Sequence, residues 1–222
     1  MWAEYDVWLV DLDGTVLDVQ PGYMHDVFEE ISERLGHTFS PTDAERLWRG
    51  FDGGPDRKLR SMGIDPDRFW RTFHEIDDPE ARAEAAFVYP DAEVLAEIPA
   101  PVGVVTHCQP YLTGPILDRL DIADWFDVVV CCTDDTGWKP DPAPVEYALN
   151  QLGWSPERDN GVLIGDSPAD VGAAWNTGLD AVHVERFKQD VRGCCVRADR
   201  RISGLQELFT GEPTATGKVA SE

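Results

Sequence analysis

Short apolar runs recur along the chain: Val7-Trp8-Leu9-Val10, Val102-Gly103-Val104-Val105, Val128-Val129-Val130-Cys131, Val162-Leu163-Ile164 and Ala181-Val182-His183-Val184. Each is rich in β-branched residues and almost unbroken in apolar character, which is how strands covered on both faces read. The segments between them are patterned as helices. Strands alternating with helices predict an α/β fold, a doubly wound, Rossmann-like parallel sheet with right-handed crossovers. Such sheets bind ligands beyond the carboxyl ends of their strands. Asp11, Thr106 and Asp166 each follow a predicted strand, so they belong at one common edge.

The rhythm breaks between Val16 and Val88, a stretch that reads as all helix. Met24, Val27, Phe28, Ile31 and Leu35 fall at helical spacing, with Gly36 as a stop. Ser40-Pro41, Asp65-Pro66 and Asp78-Pro79 have the form of a helix N-cap followed by proline at the first helical position. Phe69, Trp70, Phe73 and Ile76 make a second apolar face. The expected organisation is a core of residues 1–15 and 89–210, a small all-helical cap of residues 16–88 inserted after the first strand, and a frayed tail over 211–222.

Composition narrows the function classes. The chain of 222 residues carries 19 Lys+Arg against 42 Asp+Glu, a net charge of −23. Nucleic acid and anionic membranes are bound through clustered positive charge, so neither is an expected partner. Self-repulsion of this size destabilises a compact state at low salt and is screened in molar salt. A salt-adapted (halophilic) cytoplasm is therefore the expected setting. No run approaches the apolar length of a membrane span, and the first residues lack a signal-peptide pattern. The five cysteines are odd in number and lack metal-ligand spacing, which argues against a disulfide framework or a zinc site. They read as small core residues, with Cys108 partly exposed.

The chemistry sits in the acidic clusters. Asp11-Leu12-Asp13-Gly14-Thr15 ends the first strand, and Gly14 permits a close turn there. In Gly165-Asp166-Ser167-Pro168-Ala169-Asp170 a turn opens a helix, and Asp166 and Asp170 share a face if the helix begins early. Several carboxylates at one edge repel one another unless a hard cation neutralises them, and oxygen-only ligands favour Mg²⁺. Thr106 offers a hydroxyl and loop N–H donors. Lys139, in Gly137-Trp138-Lys139-Pro140, offers a compact positive charge. Such groups stabilise the charge of a transferring phosphoryl group.

Asp11-x-Asp13-Gly14-Thr15, Thr106, Lys139 and Gly165-Asp166-Ser167-x-x-Asp170, in this order, resemble the four motifs of the haloacid dehalogenase superfamily of phosphohydrolases. The resemblance spans nearly the whole chain. It includes the helical insertion in the C1-cap position and is nearest to the phosphoglycolate phosphatase-like branch, notably from Lys139 to Gly178. It implies Mg²⁺-dependent hydrolysis of a small phosphorylated metabolite. Asp11 would be the nucleophile that forms an aspartyl-phosphate and Asp13 the acid/base. Asp11, the Asp13 carbonyl and Asp166 would bind the metal, and Asp170 would be a further ligand or an orienter of its waters. Thr106 and Lys139 would hold the phosphoryl oxygens.

His107 stands where the family often has Asn, and both substrate contact and loop filling are open to it. Trp138 occupies a position where a small residue is common. In the insertion, Arg57, Lys58 and Arg60 are candidate contacts for a second anionic group of the substrate, with Arg49 and Trp48 weaker candidates. Each has a plainer reading as a solvated helix face. Dehalogenases and phosphonatases lack the second aspartate, so Asp13 argues against both. A sugar-phosphate mutase shares every core motif, and a non-catalytic phosphate-binding protein could share the fold.

Overall fold

The computed structural model of the protein describes residues 5–209, so the tail expected at 211–222 lies outside the described residues. The chain runs through β1 (Val7–Val10), β2 (Leu17–Val19), α1 (Pro21–Leu35), α2 (Pro41–Trp48), α3 (Pro55–Ser61), α4 (Pro66–Ile76), α5 (Pro79–Ala85) and β3 (Ala86–Val88). It continues through β4 (Val102–Thr106), α6 (Pro110–Leu120), β5 (Val128–Cys131), α7 (Ala143–Gln151), β6 (Gly161–Gly165), α8 (Pro168–Thr177), β7 (Asp180–Val184), α9 (Gln189–Arg192) and β8 (Arg200–Ile202).

Every predicted strand forms. The six-stranded sheet has the order β5-β4-β1-β6-β7-β8, and its neighbouring strands all pair in parallel. Alternate side chains serve its two faces. Trp8, Val10, Val104, Ile164 and Val182 pack with Leu112 and Ile116 of α6. Val7, Leu9, Val105, Leu163 and Ala181 pack with Val145 and Leu149 of α7 and Val171 of α8. Burial on both faces is the physical reason the runs in β1, β4, β6 and β7 are apolar without alternation; the run in β5 departs from that reading, because β5 is an edge strand and Val129 is exposed.

A third core is built by the insertion itself. Met24, Val27, Phe28 and Ile31 of α1 meet Leu47 of α2, Leu59 of α3 and Phe69 of α4. The helix starts form as the sequence predicts. Ser40 accepts from the Asp43 N–H at 3.1 Å, Asp65 from Asp67 at 3.1 Å, and Asp78 from Glu80 and Ala81 at 3.0 and 2.9 Å.

The structure corrects the reading of residues 16–88 as all helix. β2 and β3 pair antiparallel at the two ends of the insertion, Leu17 with Val88 and Val19 with Ala86. Three-residue strands carry too little periodicity to announce themselves, and the partner that stabilises each lies at the far end of the insertion. β8 was likewise not foreseen: with Arg200 and Arg201 it is a charged edge strand. Among the described residues no helix is long and apolar enough to cross a membrane.

Candidate active site

The site is assembled where β1, β4 and β6 end. The Asp11 N–H donates to the Ile164 carbonyl at 2.8 Å, keeping the strand in register up to the first carboxylate. The chain then turns sharply, with the Leu12 carbonyl accepting from the N–H groups of Val16 (2.9 Å) and Leu17 (3.1 Å). Gly14 is required here on two grounds. Its φ is 80°, and a Cβ would lie 2.7 Å from Oδ2 of Asp166.

Lys139 is the hub. It arrives from a turn in which Gly137 donates to the Thr133 carbonyl at 2.8 Å, and it precedes a cis peptide bond to Pro140. Its ammonium is buried and has three oxygen partners: Asp11 Oδ1 at 2.7 Å, Asp170 Oδ1 at 2.6 Å and the Val105 carbonyl at 2.6 Å. The contacts with Asp11 and Val105 are hydrogen bonds, and that with Asp170 is an ion pair. Thr106, buried at the end of β4, accepts the Cys108 N–H at 3.0 Å on its hydroxyl oxygen, which leaves the hydroxyl hydrogen to donate.

Asp166 follows β6, and Asp170 is the third residue of α8. Ser167 caps that helix in a reciprocal box: its hydroxyl accepts from the Asp170 N–H, and Asp170 Oδ2 accepts from the Ser167 N–H (2.9 Å) and hydroxyl (2.6 Å). The early helix start that lets both aspartates serve one site is therefore built into the sequence. Gly165 makes room, since a Cβ there would lie 2.2 Å from the Asp170 carboxyl carbon.

The charges do not balance. Burial drives the Asp11 carboxyl up, to about 7, against the pull of Lys139. Burial also opposes the charge of Asp170, but Lys139 and Ser167 outweigh it and hold that carboxyl below its ordinary range. Among the described residues the Asp166 carboxylate has no ion pair or hydrogen bond, and the charges of Arg192 and Lys139 pull on it only weakly against burial. Burial raises it well above the carboxylate range, and Asp11 and Asp170 add to the rise. Asp11, Asp166 and Asp170 each offer a carboxylate oxygen, and these atoms lie within 4.8 Å of one another. An all-oxygen donor set short of positive charge fits a divalent cation.

Two arginines at the site were not singled out from the sequence. Arg82 of α5 is buried and reaches Asp13 Oδ1 at 2.6 Å, so the insertion touches the first motif directly. Its only sequence signal is a lone cation in a short Ala- and Glu-rich helix. Arg192 at the end of α9 is also buried and donates to the Asp166 carbonyl.

The candidates in the insertion lie apart from this cluster. Lys58 pairs with Asp43 at 3.0 Å, and Arg60 lies 3.7 Å from Asp56 on an exposed face. Arg57 and Lys58 line a cleft of about 510 Å³ together with Asp52, Ser61, Gly193 and Cys194. Arg49 pairs with Asp18, which also accepts from the Tyr89 hydroxyl at 2.7 Å, and Trp48 underlies the Arg82 guanidinium at 4.4 Å. His107 and Trp138 meet edge to face at 5.6 Å, with the indole held by Asp134 and 40% of the tryptophan exposed. Cys108 is buried rather than partly exposed, whereas Cys195 is exposed in the loop between α9 and β8 and is not a core residue.

A parallel sheet with paired aspartates after its first strand and a lysine between two carboxylates is an arrangement suited to phosphoryl transfer. The chain matches the haloacid dehalogenase-like hydrolase model over residues 5–178 and belongs to that family. It is 33% identical over 200 residues to a phosphoglycolate phosphatase of Escherichia coli (strain K12), covering 78% of each chain. It is 30% identical over 185 residues to an N-acetylmuramic acid 6-phosphate phosphatase of Pseudomonas aeruginosa, covering 79% of this chain and 80% of that one. The crystal structure of a HAD phosphatase from Thermococcus onnurineus superposes with a TM-score of 0.65 at 28% identity, covering 92% of this chain and 96% of that one.

Proposed function

We propose that the protein hydrolyses small organic phosphomonoesters through a phosphoryl group carried transiently on Asp11. The observation that carries this reading is the buried chain of charge Asp11–Lys139–Asp170, at 2.7 and 2.6 Å, beside the Asp166 carboxylate, which has no ion pair among the described residues.

In the first half-reaction an Asp11 carboxylate oxygen attacks phosphorus and the ester P–O bond breaks, with Asp13 giving its proton to the leaving alcohol. In the second, Asp13 takes a proton from water, whose oxygen attacks the same phosphorus. Phosphate leaves and the Asp11 carboxylate is restored. Lys139, the Thr106 hydroxyl and the loop N–H groups hold the phosphoryl oxygens throughout. Asp11, the Asp13 carbonyl and Asp166 would hold Mg²⁺, and both oxygens of Asp170 are engaged by Lys139 and Ser167, which favours an orienting role for it. When bound, the cation supplies the positive charge that the phosphoryl oxygens and buried carboxylates require.

Residues 16–88 serve as the cap that selects the substrate, with β2 and β3 as its stem. The names of the E. coli and P. aeruginosa relatives support a small phosphorylated metabolite as substrate. The net charge of −23 supports work in a salt-rich cytoplasm.

The test is phosphate release from a panel of phosphomonoesters, with Mg²⁺ or EDTA, in low and molar KCl. Mg²⁺-dependent release that is strongest in molar salt is the expected result. Isomer interconversion without phosphate release would make the protein a mutase. Phosphate binding without turnover would make it a binding protein.

A further inference from the structure

The guanidinium of Arg82 is braced entirely by the helical insertion on one side. It lies over the Trp48 ring at 4.4 Å and within 3.7 Å of Asp77, a buried carboxylate that also accepts from the Tyr23 hydroxyl at 2.6 Å. On the other side Nη2 donates to Asp13 Oδ1 at 2.6 Å. Arg82 is buried while the Asp13 side chain keeps 31% of its surface exposed. A carboxylate on a glycine-flanked turn has several orientations open to it. This contact fixes one of its oxygens and leaves Oδ2 without a hydrogen bond among the described residues.

We propose that Arg82 is a positioning residue for proton transfer: it holds Asp13 Oδ1 so that Oδ2 serves the leaving-group oxygen, and it does so only when the helical insertion is seated on the core. The proposal rests on the reading of Asp13 as acid/base. No substrate atom touches Arg82 in this scheme. The proton passes from Oδ2 to the departing alkoxide, the P–O bond breaks, and Oδ2 later regains a proton from water.

Leaving-group chemistry separates this role from a purely structural one. An alkoxide needs a proton to depart, whereas p-nitrophenolate departs without one. Alcohol release would be followed in single turnovers of the full-length enzyme with Mg²⁺, using an alkyl phosphate and p-nitrophenyl phosphate, for wild type, Arg82→Gln, Arg82→Lys and Asp13→Asn. Arg82→Gln is expected to slow release from the alkyl ester about 10- to 100-fold, within the range of general acid catalysis. Release of p-nitrophenol should change less than about 3-fold. Arg82→Lys should recover part of the alkyl rate, and it decides the question by the same ratio if the glutamine variant does not fold. Equal slowing of both esters, or of neither, in a variant that melts like wild type would overturn the positioning role. If Asp13→Asn itself shows no leaving-group selectivity, the acid/base reading fails and the proposal fails with it.

Discussion

The carboxyl edge of the sheet and the helical insertion handle charge in opposite ways. At the edge, Asp11, Asp166 and Lys139 are buried, and each is fixed by a strand end or by the turn that leads from one. The contacts of Lys139 with Asp11 and Asp170 are short and shared, and the buried carboxylates outnumber Lys139, which is compatible with a divalent cation. In the insertion the cations sit mostly on helix faces and have local partners: Lys58 with Asp43, Arg46 with Asp52 and Arg60 with Asp56. Arg82 is the exception, a buried cation of the insertion whose partner belongs to the edge. At the strand ends each motif is short and consecutive in sequence, although the motifs that meet are far apart, Asp11 and Lys139 by 128 positions. Groups placed on the helices of the insertion are spread over surfaces that only the fold brings together.

The largest effect expected from this contrast is at Lys139. Lys139→Met leaves Asp11 and Asp170 facing each other without their shared cation. In EDTA the variant should lose about 3–5 kcal/mol of stability in urea denaturation, the cost of breaking a buried pair on one side. Turnover should be lost as well. A loss below about 1 kcal/mol would show that the edge is not charge-strained.

His183 on β7 comes next. It is fully buried, and neither ring nitrogen has a hydrogen-bonding partner among the described residues. Burial, with the Arg192 charge, lowers its pKa to about 4. Because this lies below the ordinary value, the unfolded chain takes up the proton first as pH falls. Its contribution is complete above about pH 6.5 and is lost progressively towards pH 4, up to about 3 kcal/mol in all. His183→Leu should flatten that part of the stability–pH curve, and an unchanged curve would contradict the assignment.

In the insertion, effects should shrink. Asp78→Ala removes the cap of α5 and should cost about 1 kcal/mol in urea denaturation, with kcat held on a favoured ester. Arg60→Ser, on an exposed face beside Asp56, should change stability by less than about 0.5 kcal/mol and leave KM as it was. A large KM change in that variant would mean that this face reaches the substrate.

The strands and the core motifs were legible because each is written in consecutive residues. An apolar run ends, an aspartate follows, and a glycine or a Ser-Pro pair makes the turn. The helix starts at Ser40, Asp65 and Asp78 were legible for the same reason. What escaped was whatever depends on distant partners. Asp13 and Arg82 are 69 positions apart, and β2 finds β3 only after the five helices between them have folded. The burial of Cys108 and the exposure of Cys195 are likewise set by packing rather than by neighbours in sequence.

The proposed mechanism requires a phosphoryl group to reside on Asp11 during turnover. Rapid acid quenching of the enzyme mixed with its best ester, followed by reductive trapping and peptide mass spectrometry, addresses it directly. A modification at Asp11 that is absent from Asp11→Asn is the predicted result. Turnover at full rate in that variant, or a trapped label on another residue, would rule out Asp11 as the nucleophile.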